Sequence, residues 1–382
     1  MRYYTKPNLC SNTKSLKRMD LQNNKIYGVK MKVALTGIKG DFAKECGAGI
    51  VRYTLELSNF LLSHGIDLEQ LEFNNLFDYA AKVTFMDFDK YDLIHNPGIK
   101  ITTPLRKGKS KLITTVHDLI FIFNPELYKE RLLERQSISA MFKKYLSLEY
   151  ARISISSSIW LSDHLITDSN LVKRELTSLG LSKEQISVIP LGIDKRFRET
   201  PLPEKKRGFT VGYFGSFQRK KNVEFAIDAF DQFNERNKTN SIFELWGSTH
   251  SPEYRYIRSI TKNPRIIFKG FAPENRIVQI YDRFDAAIFP ILSTGFELEI
   301  LEAQSRGIPV ITYRHSKIPE EVRKYCFEAE DSAHASQILN KIAKNGYNAK
   351  TQRKAIDYAN SFAWEKTGIE TFKVYQKVAE NV

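Results

Sequence analysis

The sequence predicts an α/β protein built from two doubly wound domains that face each other across a crevice. The chain has 382 residues, which exceeds one ordinary domain and leaves each half long enough to bury a core. From Lys32 onwards short apolar runs alternate with amphipathic stretches, and this alternation stops and restarts around Asp194–Gly208. Pro201, Pro203 and the basic run Lys205–Arg207 interrupt the pattern there, as is typical of a linker between domains.

The apolar runs are short, nearly continuous and rich in Ile, Val and Phe, which is typical of parallel strands buried on both faces. In the first half the runs are Lys32–Thr36, Asp92–His95, Lys111–Val116 and Leu165–Asp168. In the second half they are Phe209–Phe214, Ile242–Trp246, Arg265–Lys269, Asp285–Phe289 and Pro309–Tyr313. Between them, Val51–Ser63 and Asn222–Asn234 space their apolar residues as helices do. This alternation predicts right-handed crossovers and parallel sheets, with ligands bound in the crevice outside the carboxyl ends of the strands.

Composition indicates a soluble globular protein, since 42% of the residues are hydrophobic and 12% are aromatic. No apolar run reaches about 18 residues, and no apolar region follows the N-terminus, so neither a membrane span nor a signal peptide is predicted.

The cysteines Cys10, Cys46 and Cys326 are widely separated, and no pair has metal-ligand spacing. We therefore expect three ordinary thiols in a reducing, cytoplasmic compartment.

The formal net charge of +14 would attract nucleic acid, an anionic membrane surface or phosphate-bearing substrates. The sequence contains no aromatic platform or reader motif for nucleic acid, so we expect no nucleic-acid partner. Residues 1–30 hold seven Lys or Arg against one acid, Asp20, and predict a basic flexible tail ahead of a fold that starts at Met31. That tail is either solvated charge or a tether that makes peripheral contact with anionic lipid headgroups.

Two glycine-bearing turns follow predicted strands and open predicted helices. The first runs from Gly37 to Gly49; it is not a full dinucleotide fingerprint, so it is either a structural turn or an anion-binding loop. The second contains Gly215-Ser216-Phe217 and continues into Arg219-Lys220-Lys221-Asn222. Backbone amides and positive side chains at a strand-to-helix turn suit a diphosphate, although a solvated basic loop would have the same composition.

The segment Ser293–Ile311 is the most specific in the chain. A loop with Gly295 leads into a helix, Gly307 ends that helix, and a strand begins at Pro309, so the segment predicts a complete crossover. Glu302 falls one turn inside the helix and can face the crevice, where its carboxylate can accept two hydroxyl hydrogen bonds from a ribose. A charged residue at such a position is otherwise usually on the surface.

This segment resembles the donor-binding signature of the retaining GT-B glycosyltransferases of family 4, the mannosyltransferase-like group 1 enzymes. Other stretches agree with that family in order and spacing over about residues 31–378, and several ordered motifs are more specific than one. They are Gly49–Tyr53, Val116–Leu119 with Pro125-Glu126, Asp168–Asn170, Val188–Asp194 and Phe362–Glu365.

The resemblance implies a GT-B fold with a Rossmann-like acceptor domain at residues 31–197, completed by a C-terminal helix at 361–382. It implies a Rossmann-like donor domain at 198–360. The implied reaction is retaining transfer of a mannose- or glucose-type sugar from a GDP- or UDP-sugar to a glycan or lipid-linked acceptor. The family needs no metal or other cofactor, because basic residues and amides stabilise the leaving diphosphate.

The resemblance also implies the roles of individual residues. The catalytic candidates are His117, close to the transferred sugar, Lys221, which would neutralise the diphosphate, and Glu302, which would bind the ribose hydroxyls. The remaining candidates for donor binding are Gly49, Ser216, Arg219, Lys220, Thr294, Gly295, Phe296, Glu297 and Leu298.

Two positions depart from the family pattern. Family members usually carry a glutamate eight positions before the one that corresponds to Glu302, and here that position is Thr294. The arginine common in the phosphate loop is replaced by Ser216. These departures indicate altered specificity or lost activity. The alternatives to a transferase are therefore a non-catalytic nucleotide-sugar-binding protein and a GT-B sugar epimerase.

Two patterns suggest metal binding but lack support. Asp87-Phe88-Asp89 matches the Asp-x-Asp that holds a divalent metal in the other major glycosyltransferase fold, yet nothing around it favours that fold. His95 and His117 end neighbouring predicted strands, but no third ligand has suitable spacing for zinc. We expect a solvated turn at Asp87–Asp89 and no metal site.

Overall fold

The computed structural model describes residues 31–38, 49–74, 78, 82, 86–98, 108–128, 149, 152–153, 155–204, 208–237 and 240–380. The predicted basic tail and residues 39–48 of the first glycine loop lie outside these residues, as do Cys10 and Cys46. Within the described ranges, no helix is long and apolar enough to cross a membrane.

The first half of the chain forms a six-stranded parallel sheet from described residues, in the order β2-β1-β3-β4-β5-β6. The two central strands, β3 and β4, are buried along almost their whole length, as expected of strands covered on both faces. The strands are β1 (Lys32–Ile38), β2 (Asp67–Phe73), β3 (Leu93–Asn96), β4 (Lys111–Val116), β5 (His164–Thr167) and β6 (Ile186–Val188).

The second half repeats this design with a parallel sheet in the order β12-β11-β10-β7-β8-β9. Its strands are β7 (Thr210–Phe214), β8 (Ile242–Trp246), β9 (Ile266–Gly270), β10 (Ala286–Phe289), β11 (Val310–Tyr313) and β12 (Phe327–Ala329). Two separate parallel sheets confirm the predicted fold class of two doubly wound α/β domains.

All nine predicted strands are present, and their ends agree with the prediction to within two residues. The prediction omitted β2, β6 and β12, and each of these lies at an edge of its sheet. An edge strand has a neighbour on one side only and need not be apolar on both faces. The strand β2 shows this, because most of its side chains are partly or fully exposed.

Helices connect the strands and cover the sheets. In the first half they are α1 (Gly49–Ser63), α2 (Ile120–Phe123), α3 (Asn170–Ser178) and α4 (Lys195–Glu199). In the second half they are α5 (Val223–Asn237), α6 (Pro252–Ile260), α7 (Ile277–Tyr281), α8 (Leu298–Ser305), α9 (Glu320–Arg323), α10 (Ser332–Asn345), α11 (Ala349–Asn360) and α12 (Trp364–Glu380).

The C-terminal helix α12 crosses back to the first sheet and packs against α1. At Gly368 the two helices are so close that an added Cβ would lie 2.3 Å from Cγ of Phe60. The Thr367 hydroxyl donates to the carbonyl of Pro190 at 2.8 Å, and the Tyr375 hydroxyl bonds to the buried His95. The chain therefore passes between the two halves twice, at the segment before β7 and again before α12.

The segment between the two sheets is anchored by a buried arginine. The Arg306 guanidinium donates to the carbonyls of Phe197, Thr200 and Pro201 at 2.7 to 3.1 Å and pairs with Asp282 at 2.7 Å. Because five donors in a planar fork can bind several oxygens at once, one side chain holds this turn of chain against the second half. The predicted linker thus begins with the short helix α4, whose N-cap is Asp194.

Candidate active site

The candidate site lies where the loops after β4 and β5 meet the loop that precedes α8. The Ser169 hydroxyl donates to the carbonyl of Gly295 at 2.9 Å. A Cβ on Gly295 would lie 1.5 Å from the carbonyl oxygen of His117, so only glycine fits at this contact. The carboxyl ends of strands from both halves therefore converge on one crevice, which is where a doubly wound fold binds its ligands.

His117 follows β4 and uses both of its ring nitrogens. Nδ1 lies 2.6 Å from Oδ2 of Asp168, and Nε2 lies 2.9 Å from the carbonyl oxygen of Pro97. A carbonyl and an ionised carboxylate only accept, so beside an ionised Asp168 both nitrogens donate and the ring is an imidazolium. Burial by itself lowers the pKa of His117, but the Asp168 carboxylate outweighs burial and raises that pKa. Tyr53 packs its ring edge against this imidazolium, at 4.9 Å between ring centroids.

Lys221 is the basic residue that the second glycine turn directs inwards. It ends a short 3-10 turn over Arg219–Lys221, and its side chain is only 12% exposed and contacts the Glu297 carboxylate. Burial lowers the pKa of Lys221, yet the nearby carboxylates of Glu297 and Glu299 raise it overall, so the ammonium stays charged. Arg219 is exposed and Lys220 is partly exposed.

The two turns of the second half are joined to each other. The Leu292 amide donates to the carbonyl of Lys220 at 2.8 Å, which ties the loop before α8 to the basic turn. Within the basic turn, the Tyr213 hydroxyl donates to the carbonyl of Ser216, and Gly215 has a φ of 142° that a residue with a Cβ rarely adopts. The main chain around Ser216 is therefore held in place, while its hydroxyl lies beside Gln218.

Glu302 lies on α8 and is nearly inaccessible, with 3% of its side chain exposed. Its Oε1 accepts from Nη1 of Arg52 at 2.8 Å, and its Oε2 accepts from the Tyr281 hydroxyl at 3.1 Å. Burial raises the pKa of Glu302 and the Arg52 guanidinium opposes that rise. Each carboxylate oxygen has a second lone pair, so the group can still accept hydroxyl hydrogen bonds.

The remaining predicted donor-binding residues line the loop before α8. Thr294 donates from its hydroxyl to the carbonyl of Phe296 at 3.2 Å, and its amide donates to the carbonyl of Lys317 at 3.1 Å. Glu297 is the N-cap residue of α8, and Leu298 is the first residue of that helix. Gly49 is the first residue of α1, with open space where a Cβ would lie.

Two residues that contact Glu302, Arg52 and Tyr281, were not singled out from the sequence. Arg52 appeared only within the motif Gly49–Tyr53, and Tyr281 lies in a stretch for which no element was predicted. A third, Glu299, lies one residue beyond the start of α8, where burial and then the charge of Glu297 raise its pKa to about 8. Burial and Glu297 thus favour the neutral form of this carboxyl group, which lies close to Lys221.

The candidate metal motifs have structural roles. Oδ1 of Asp87 accepts from the amide of Asp89, and Oδ1 of Asp89 accepts from the amide of Lys109, so both carboxylates brace a turn. His95 is fully buried between Thr115 and Tyr375, and burial lowers its pKa to about 3. Across the ranges that the structure describes, no group of three His, Cys, Asp or Glu is placed to hold a metal ion.

Family comparisons agree with this geometry. Residues 70–197 match the family described as "Glycosyltransferase Family 4", and residues 208–345 match "Glycosyl transferases group 1". The two matches lie on the two sheets and together span most of the chain. They define a nucleotide-sugar-dependent glycosyltransferase with the GT-B fold, as the resemblance implied. The chain belongs to glycosyltransferase family 4.

Individual proteins extend the likeness over almost the whole chain. The O-antigen chain mannosyltransferase B of Escherichia coli is 22% identical over 303 residues, which cover 76% of this chain and 75% of that protein. The structure of sucrose-phosphate synthase from Thermosynechococcus elongatus has a TM-score of 0.72 at 14% identity and covers 92% of this chain and 100% of its own. The structure of Anabaena HepE, solved with UDP and glucose, has a TM-score of 0.63 at 16% identity. The match covers 91% of this chain and 99% of the HepE chain.

Proposed function

We propose that the protein transfers a mannose- or glucose-type sugar from a UDP- or GDP-sugar to a glycan or lipid-linked acceptor, with retention of configuration and without a divalent metal. The observation that carries this proposal is Lys221, a buried ammonium that the basic turn after β7 holds at the crevice. Its charge lies beside the start of α8, where unpaired backbone amides favour an anion. A leaving diphosphate needs this combination of positive charge and amide donors.

The charges around Lys221 support its role towards the diphosphate. Glu297 is the carboxylate in contact with the ammonium. Burial and the charge of Glu297 raise the pKa of Glu299, which favours its neutral form and limits the negative charge that faces the incoming phosphates. As the bond to the sugar breaks, charge grows on the diphosphate and the ammonium stabilises it most strongly in the transition state.

His117 lies on the opposite side of the Gly295 contact, where the transferred sugar would be placed. Its ring is held by Asp168 and Pro97, so it presents a fixed positive charge and does not take up a further proton. A fixed cation at this position favours the electron-rich oxygens of a sugar or acceptor and needs no rearrangement during the reaction. His117 would therefore bind and orient rather than act as a general base.

The sugar, base and acceptor follow from the relatives as proposals. Mannosyltransferase B is named for mannose and an O-antigen chain, which favours mannose and a glycan acceptor here. HepE was solved with UDP and glucose, which favours a UDP-linked hexose. The seven basic residues of the tail at 1–30 favour peripheral contact with an anionic membrane, as a lipid-linked acceptor on the cytoplasmic face would require.

Product analysis tests this proposal. The protein is incubated with UDP- and GDP-linked hexoses and a panel of glycan and lipid-linked acceptors, with and without EDTA, and the new linkage is examined by NMR. We expect transfer from at least one donor, unchanged by EDTA, with the anomeric configuration of the donor kept in the product. Activity that EDTA abolishes and manganese restores would contradict the metal-independent mechanism, and an inverted product would contradict retention.

A further inference from the structure

Arg52 reaches across the crevice from the first half of the chain to the proposed ribose-binding residue in the second half. It lies in the first turn of α1, and its Nη1 is 2.8 Å from Oε1 of Glu302 on α8. Its Nη2 is 3.2 Å from Oδ2 of Asp194 and 3.7 Å from Oε1 of Glu274. One guanidinium therefore faces three carboxylates from three different segments.

The contact with Arg52 helps to close off the Glu302 carboxylate. Only 3% of the Glu302 side chain is exposed, and both of its oxygens already accept a hydrogen bond. A ribose that binds Glu302 through its hydroxyls needs space beside these oxygens. Of the two partners, Tyr281 is a fully buried ring in the core, whereas 20% of the Arg52 side chain is exposed. Arg52 is the partner that can move.

Arg52 also has alternative partners close at hand. Asp194 and Glu274 lie beside the same guanidinium, and the Glu274 side chain is 57% exposed. Arg196 pairs with both of these acids, at 2.7 Å and 2.6 Å, and keeps them in place. Arg52 can therefore leave Glu302 and still pair with carboxylates, which avoids the large cost of an unpaired charge in a partly buried site.

We propose that Arg52 is a displaceable plug that occupies the ribose-binding carboxylate in the free enzyme and gives way to the two ribose hydroxyls of a nucleoside diphosphate. This inference rests on the proposed function, because it takes Glu302 as the ribose-binding group. It makes Arg52 a residue that sets donor affinity and ribose selectivity. Only a ligand whose hydroxyls replace the guanidinium leaves Glu302 with its hydrogen bonds made, and a ligand that lacks them gains nothing there.

Calorimetric titration tests the plug. UDP and GDP are titrated beside their 2′,3′-dideoxy forms into the parent protein, Arg52→Gln and Arg353→Gln, all at one fixed pH. We expect Arg52→Gln to bind the ribose form of the preferred nucleotide about 10-fold tighter and the dideoxy form no tighter, because one charge-assisted competitor is gone. Arg353→Gln is the control, since that arginine is exposed on α11, pairs with Asp357 and lies outside the Arg52 cluster, and its affinities should equal the parent's.

The remaining outcomes distinguish a failure of the proposed role of Arg52 from a failure of the ribose-binding role of Glu302. Weaker binding of the ribose form by Arg52→Gln would make Arg52 a donor ligand and overturn the plug. An unchanged ratio of ribose to dideoxy affinity would reduce Arg52 to a structural role and overturn it as well. Glu302→Ala is titrated in parallel: if it binds like the parent, the ribose role of Glu302 fails, whereas if it binds more weakly that role stands whatever Arg52 does, and the transfer itself is tested separately by the product analysis above. If Arg52→Gln fails to fold, Arg52→Lys replaces it, because an ammonium cannot make the paired hydrogen bonds of a guanidinium. Arg52→Lys must then raise the ratio of ribose to dideoxy affinity, as expected for Arg52→Gln.

Discussion

Buried charges define the crevice, and each has a partner of opposite charge on a different element. Lys221 contacts Glu297, Arg52 contacts Glu302, and His117 contacts Asp168. Leaving one member of such a pair alone in a buried site is strongly destabilising, whereas a ligand that brings the missing charge or hydrogen bonds restores the balance. A nucleoside diphosphate carries both negative phosphates and hydroxyls, so it can exchange with these internal partners.

Glu302→Ala tests the ribose contact directly. We expect the affinity for the nucleoside diphosphate to fall roughly 10- to 150-fold, because losing hydrogen bonds to a charged group costs about 1.5–3 kcal/mol. Calorimetric titration measures this, and circular dichroism verifies that the fold is kept. Glu370→Ala, on a half-exposed residue of α12, is the control and should bind like the parent. Equal affinities for the two variants would remove Glu302 from the donor site.

Glu299 gives the protein a specific dependence of stability on pH. The carboxyl ionises in the unfolded chain near its ordinary value of 4.5 but in the folded protein only near 8. Between these values the unfolded state holds fewer protons, so the stabilisation present at low pH is lost as the pH rises to about 8. Glu299→Gln removes this loss. Urea unfolding from about pH 5 to 9 gives the free energy of unfolding of the variant and of the parent. The variant's value minus the parent's should grow with pH and level off above about pH 8. If the free energy of unfolding has the same pH dependence in the parent and in Glu299→Gln, the raised pKa of Glu299 is contradicted.

At the scale of elements, the sequence predicts the interior of each sheet better than its edges. Strands buried on both faces leave a continuous apolar run, whereas the edge strands β2, β6 and β12 are short or carry polar side chains. The site follows the same logic. Lys221 and Glu302 could be predicted from local motifs, but the contact of Arg52 with Glu302 joins residues 250 positions apart and depends on how the two halves meet.

The turn at Gly295 is a point of very close contact between the two halves. In Gly295→Ala the new Cβ would meet the His117 carbonyl, a main-chain atom that no side-chain rotation can move away. The loop must then shift, and a displacement of about 1 Å at reacting groups can cost roughly 100-fold in rate. We expect a loss of turnover of that order with the secondary structure kept, measured by steady-state kinetics and circular dichroism. Turnover equal to the parent's would show that this contact does not position the sugar.

For the whole molecule, we propose that residues 31–197 bind the acceptor and residues 198–360 bind the donor. Arg306 anchors the first passage between the halves to the second half, and α12 anchors the return passage to the first. Both connections are built from buried contacts, while the crevice itself is spanned by polar pairs that a ligand can replace. The net charge of +14 draws an anionic donor towards that crevice.

The central claim is that a buried lysine, in place of a metal, stabilises the departing nucleoside diphosphate, and single-turnover kinetics of Lys221→Ala tests it most directly. The variant and its control Lys341→Ala, an exposed lysine on α10, are compared with the parent at saturating donor in the presence of EDTA. We predict that Lys221→Ala lowers the transfer rate at least about 100-fold while donor affinity changes much less, because the ammonium acts mainly on charge that develops in the transition state. Lys341→Ala should match the parent. A Lys221→Ala protein that transfers sugar at the parent's rate would contradict the account.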